Sequence, residues 1–443
     1  MHMKRATGKT AVLCGIGLAV GAAFAVPPEV TNVTLVQPQD TRVAVVAFQT
    51  DGAGIATFQM KTNGVDISHS EIVRTVSGDI NKWLSSAGTY TFSWDAGRDY
   101  PERVMSNLTC EVTLWATNAP PLYCAVTLVE DGNGRYPLRW YGKEGEVPFG
   151  VTNSYWKKDC LLLRRIDASE GLVTLGSPPT EWGRDGSETL RQVRITQPFY
   201  LGVFEVTQRQ WANVRNMKPS RWNNATDWEE RPVETISYNS LRGSTTDSPA
   251  VDWPTTGHAV VASGSFMGVM RSKTGGLLEF DLPTDAQWEY ACRAGTSGPW
   301  NNGGPSASND IDPNLALLGR YGHNGGKNTS GGGWADWPDN CFASNATAKI
   351  GAYLPNAWGL YDMHGNVGEW CLDWYEANVA ALQQESDPVG PASGSNRIRR
   401  GGNSGDTAGL CRSARRSSPG APGSSFGSTG FRVAAPAEVL MHQ

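Results

Sequence analysis

The stretch Gly359-Leu-Tyr-Asp-Met-His-Gly-Asn-Val-Gly-Glu-Trp-Cys-Leu-Asp-Trp-Tyr375 decides how the chain is read. Asp362 and Glu369 stand seven residues apart with Gly365 and Val367 between them, and Trp370 and Trp374 follow. A glycine-punctuated run of this kind predicts a tight turn that enters an aromatic strand. Two carboxylates plus backbone carbonyls on such a turn make a hard, oxygen-only donor set suited to Ca2+. Gly365 lets the backbone fold its carbonyl inward. In the competing reading Asp362 and Glu369 are caps that hydrogen-bond the turn itself, a common role for carboxylates. Trp370 and Trp374 read as core, and His364 as a surface residue of the turn.

A chain of 443 residues implies two or three domains, and 39% hydrophobic residues allow a sizeable core. The 51 glycines and 26 prolines point to many turns rather than long helices. Residues 1–25 read as a signal peptide, with Lys4, Arg5 and Lys9, an apolar run at 11–24 and the cleavage site Ala23-Phe24-Ala25. Cys14 follows Leu13 rather than a small residue, which argues against a lipid anchor. The mature chain is therefore expected to be exported (periplasmic, cell-surface or secreted) with no transmembrane anchor. It would carry 35 basic and 43 acidic residues, a net of −8, which argues against a nucleic-acid or membrane-surface role. Its cysteines are 110, 124, 160, 292, 341, 371 and 411; none forms C-x-x-C, and in an exported chain some should pair.

Residues 26–130 read as all-β, with strands expected at 30–36, 42–48, 55–60, 89–94 and 108–114 between Asp-Gly and Asn-Gly turns. Their pace suggests an immunoglobulin- or fibronectin-like sandwich acting as a spacer. Residues 131–160 read as a linker, 161–436 as a domain mixing short strands and helices, and 437–443 as a tail. Helices are expected at 207–213 and 284–294, and a long Gly/Asn/Trp-rich loop region at 295–345. The whole is classed as α+β.

Five ordered segments then carry a resemblance. They are Leu175-Gly-Ser177 with Glu188-Thr189, Phe199-Tyr-Leu-Gly-Val-Phe-Glu-Val-Thr-Gln208, Leu282-Pro-Thr-Asp-Ala-Gln-Trp-Glu-Tyr-Ala-Cys-Arg-Ala-Gly295, the opening stretch, and Arg400-Gly-Gly402 with Gly430-Phe-Arg-Val433. Over about 160–436 the chain resembles the formylglycine-generating enzyme, or sulfatase-modifying factor, family. The resemblance implies a C-type-lectin-like fold with little regular secondary structure. It also implies a structural calcium site formed by the side chains of Asp362 and Glu369 and the carbonyls of Gly365 and Val367, with Glu205 as a further cation-binding position.

The formylglycine-forming members hold copper between two cysteines spaced C-x-x-x-x-C after an R-G-G-S-[WY] stretch, since two soft thiolates select Cu(I). Here the run is Arg400-Gly-Gly-Asn-Ser-Gly-Asp-Thr-Ala-Gly-Leu-Cys411, with Asn403 and Ser404 replacing the Ser-aromatic pair. Cys411 stands alone, so it is a catalytic candidate only if the protein is an oxidase, and copper is not expected. The family can bridge the cysteine after Trp-Glu-Tyr to one in the Arg-x-Ala-x-Arg strand. Cys292 matches the first position and Cys411 lies two residues before the second, an offset that keeps one strand face. A Cys292–Cys411 disulfide is the resulting expectation.

Between 397 and 432 seven arginines face only Asp406, and 13 of the 28 residues at 403–430 are Ser or Gly. Small polar residues with Arg suit an anionic or polyhydroxylated ligand. Asn403, Ser404, Asp406, Arg412 and Arg416 are therefore ligand-binding candidates, for a small-molecule, glycan or protein ligand. The run Asn403 to Ala408 also resembles the variable tails of diversity-generating retroelement proteins. Gly423-Ser-Ser-Phe-Gly427 lacks the strand–helix context of a nucleophile elbow, and the six histidines show no metal-binding spacing. The reading is thus an exported, calcium-stabilised binding module, with a formylglycine-generating oxidase or a variable display protein as alternatives.

Overall fold

The structure is a computed structural model that describes residues 28–67, 75–223, 226–243, 261–306, 311–324 and 347–438. The expected signal peptide, Cys341, part of the 295–345 loop region and most of the tail lie outside the described residues. The chain forms two compact units: residues up to Ala125 with Leu138–Asn153, and Val126–Pro137 with Ser154 onward.

The first unit contains β1 (Val30–Val36), β2 (Val43–Thr50), β3 (Gly54–Thr62), β4 (Val65–Asp66), β5 (Val76–Gly78), β6 (Lys82–Leu84), β7 (Gly88–Asp95), helix α1 (Ala96–Asp99) and β8 (Leu108–Trp115). Two antiparallel sheets result, β1-β2-β7-β5 and β4-β3-β6, with β8 pairing β3. Strict alternation in β2 turns Ala44, Val46 and Phe48 inward. They meet Phe58 and Met60 of β3, Phe92 and Trp94 of β7 and Leu114 of β8 in one core. The five expected strands are present, each within two residues of its expected ends.

Residues 131–160, expected as a linker, are divided between the units and carry structure: β10 (Leu138–Tyr141), after β9 (Tyr123–Thr127), and α2 (Tyr155–Lys158).

The second unit is a mixed, sheet-rich fold with few and short helices. Along the chain it contains β11 (Cys160–Ile166), β12 (Val173–Leu175), β13 (Arg191–Val193), β14 (Phe199–Gly202), α3 (Gln208–Arg215), α4 (Tyr238–Arg242), α5 (Phe266–Lys273), α6 (Asp285–Arg293) and α7 (Leu315–Leu318). β15 (Gly368–Trp374), β16 (Arg397–Arg400), β17 (Ser417–Gly420), β18 (Thr429–Gly430) and β19 (Ala434–Pro436) complete it. β19 returns to pair with β14, which also pairs with β11. β15 lies between antiparallel β16 and parallel β18, and all seven of its residues are buried. Both expected helices begin at a threonine with a complete capping box, Thr207 with Gln210 and Thr284 with Gln287. The fold thereby sets β15, and the turn that feeds it, in the middle of the unit.

Candidate functional site

The turn before β15 is built from left-handed residues: φ is 56° at Asp362, 79° at Gly365 and 58° at Asn366. A Cβ on Gly365 would lie 2.0 Å from the Arg320 carbonyl oxygen, so only glycine fits. Three segments pin the turn: Gly365 N–H donates to Gly401 O (2.7 Å), Asn366 N–H to Arg320 O (2.6 Å) and Gly368 N–H to Ser428 O (2.8 Å).

The oxygen atoms of this turn divide into open and closed sets. Asp362 Oδ2 accepts the Gly351 N–H at 2.6 Å, while its Oδ1 is buried with no partner. Among the described residues the carbonyls of Gly365 and Val367 accept no hydrogen bond. Glu205 is turned to the same place and accepts from Asn366 Nδ2 (2.6 Å) and Val367 N–H (3.1 Å). Glu369 is closed: Arg432 grips it through two bonds of 2.6 and 2.7 Å, and Trp288 Nε1 donates at 2.7 Å. Burial raises Asp362 to about 6 against the opposing pull of the Gly351 N–H, Arg432 and Lys157. Burial, then the neighbouring Asp362 and Glu369, raises Glu205 well above the carboxylate range. A buried carboxylate group in excess of its cations, with an orphaned Asp362 oxygen and two unbonded carbonyls, fits a hard cation. Glu369 is the exception, held by Arg432. No cluster of three or more His, Cys, Asp or Glu side chains with metal-holding geometry occurs among the described residues, so carbonyls would have to supply much of the coordination.

His364 is not on the surface: it is fully buried, donates from Nδ1 to Cys411 O (2.8 Å) and accepts the Asn301 N–H on Nε2 (3.2 Å). Burial pulls it down to about 4, so it is neutral and cross-braces the loops.

Cys292 and Cys411 are both free thiols, so the expected disulfide is not present. Residues 411–414 form a turn rather than a strand, so an offset of two does not keep one face there. Ser413 takes the place opposite Cys292, with its Oγ 3.7 Å from Sγ. Cys411 points instead into an apolar cluster of Trp300, Leu315, Leu318, Tyr321 and Ala408. Its Sγ fills the space beside Gly402, where an added Cβ would be 2.6 Å away. Burial, then Asp406, raises this thiol well above its ordinary value. A sealed, protonated thiol with no second cysteine in its cluster among the described residues does not fit copper.

The arginines expected at a binding surface are buried. Arg412 is 0% exposed and clamps Glu188 through two 2.8 Å bonds while also pairing with Glu181. Arg416 bonds Asp285 Oδ2 at 3.1 Å, beside Arg400 and Arg191. Burial alone would raise Asp285, but Arg400, Arg416 and Arg191 outweigh it and hold the carboxylate well below its usual range. Asn403 and Asp406 close a turn on each other (Nδ2 to Oδ2, 2.6 Å), and the buried Ser404 donates its N–H to Asn366 O at 2.9 Å. The 403–406 turn thus docks on the Asp362 turn. The most outward run of the described segment is 421–428, where Arg399 lies 4.4 Å over the Phe426 ring. Sequence reasoning missed Arg432 as the partner of Glu369, although its Gly-Phe-Arg-Val motif was visible, and it missed Trp288, Lys157, Gly351 and Ser413.

Residues 165–437 match the sulfatase-modifying factor enzyme 1-like domain. The chain belongs to the sulfatase-modifying factor family. A formylglycine-generating enzyme of Bos taurus is 33% identical over 324 residues, covering 67% of this chain and 80% of its own. The chaperone protein LppX of Paenibacillus barcinonensis is 32% identical over 186 residues, and the match spans 62% of its length and 40% of this chain. In structure, Treponema denticola variable protein 1 aligns over 62% of this chain and 95% of its own, at 24% identity and a TM-score of 0.45. The first unit lies outside the family match.

Proposed function

We propose that this family member is an exported binding module that does not generate formylglycine and whose Asp362 turn holds a structural calcium ion. The observation that carries the first half is Cys411: it is the lone thiol of the 400–416 segment, it stands at neither position of the copper-binding pair that the family's oxidases carry, and it is sealed among aromatic and aliphatic side chains. The orphaned Asp362 Oδ1 with the Gly365 and Val367 carbonyls supports the second half. Asp362, those carbonyls and Glu205 would hold the ion, which would neutralise buried carboxylates and tie the turn to Gly351 and Arg320. The family fold implied for the second unit is C-type-lectin-like, and the first unit reads as an immunoglobulin- or fibronectin-like spacer. The ligand would meet the Ser/Gly-rich 421–428 segment rather than Arg412 or Arg416. Elemental analysis of the purified full chain, before and after chelation, tests the calcium reading. One equivalent of calcium, with a lower melting temperature after removal, is expected; a chelator-insensitive, calcium-free protein would refute it.

A further inference from the structure

Lys157, on α2, is only 8% exposed, yet its ammonium makes no ion pair or hydrogen bond among the described residues. Its stem is packed away and its charge rests on an aromatic face instead of a carboxylate. The surroundings tie it to the candidate cation site. Its Nζ lies 5.3 Å from the centre of the Phe204 ring, and Phe204 precedes Glu205. Phe204 in turn packs at 4.9 Å on Tyr361, which precedes Asp362. Gly351, whose N–H donates to Asp362 Oδ2 at 2.6 Å, would place a Cβ 3.1 Å from Lys157 Nζ. The charged groups facing it are Asp362, Glu230 and Lys349, and Glu230 is already paired with Lys158 at 3.4 Å. The ammonium therefore stands beside the carboxylate whose second oxygen is orphaned, too far for a direct bond and near enough to act through its charge.

We propose that Lys157 is a built-in competitor for the cation of the Asp362 turn. In the metal-free protein its charge partly neutralises Asp362 and keeps the turn folded. When calcium enters, the two positive charges repel, so Lys157 lowers the affinity and makes it the affinity-setting residue of the site. The inference rests on the proposed cation at that turn, and the experiment separates the two.

Full-length wild type, Lys157→Met, Lys157→Gln and Lys157→Arg are titrated with calcium chloride by calorimetry, and each is melted with calcium and with chelator. Met keeps the apolar stem and Arg keeps the charge. Met and Gln variants should bind calcium about tenfold or more tighter, and Arg should match wild type. Without calcium the Met and Gln variants should melt below wild type, and calcium should close the gap. Equal affinity across all four proteins would overturn the role of Lys157 while leaving the cation in place. No binding by any of them would overturn the cation reading, and the inference with it. If Lys157→Met does not fold, Lys157→Gln against Lys157→Arg decides the same question.

Discussion

Arg432 is fully buried and depends on Glu369 for its charge balance. Removing one member of such a pair leaves the other uncompensated, so Glu369→Gln should cost about 3–5 kcal/mol in denaturant unfolding. A Glu369→Gln, Arg432→Met double variant should recover part of that loss, because the stranded charge is gone. Cys292 and Cys411 lead to a second expectation at this scale. After denaturation without reductant, both should alkylate fully, and a linked 292–411 peptide would contradict the structure. Asp373 gives a pH signature: burial, then its neighbour Asp285, raises it to about 7 from an ordinary 3.8. Between those values the folded state binds more protons than the unfolded chain, so the contribution of Asp373 to stability falls as pH rises. Asp373→Asn mimics the protonated acid. Its stability relative to wild type should therefore improve from pH 4 to pH 7, and a flat difference would refute the assignment.

At the level of elements, local signals were the legible ones. Thr207 with Gln210 and Thr284 with Gln287 lie within one turn of chain, so both capping boxes could be found from spacing alone. Alternation in β2 likewise marked which residues face the core. Thr284→Ala should cost about 1 kcal/mol by freeing a helix N-terminus. The turn before β15 was legible as a turn because Gly365 sits in it, and Gly365→Ala should destabilise by at least about 2 kcal/mol, from left-handed strain plus the clash with the Arg320 carbonyl. What was not legible is what long-range pairing decides. Arg412 meets Glu188 across 224 residues, and nothing in the local charge count reveals that partner. The stretch around Cys411, expected as strand only through the family resemblance, is a turn, and Cys411 and Ala408 are drawn into the cluster with Trp300.

For the whole molecule, the buried arginines are the unifying feature. Arg400, Arg416 and Arg191 converge on Asp285, while Arg412 and Arg432 each hold a separate glutamate, so helix α6, strand β15 and the C-terminal segments are locked together by charge. The C-terminal segment contributes one thiol, sealed in the Trp300 cluster, and its most outward run is the Ser/Gly-rich 421–428. Under the proposed function this segment serves recognition rather than the family's oxidation. The most direct test supplies the purified full chain with copper(I), oxygen and a peptide carrying a sulfatase-motif cysteine, and follows the peptide by mass spectrometry. The account predicts that the cysteine is recovered unchanged; its conversion to formylglycine, lost in Cys411→Ser, would contradict it.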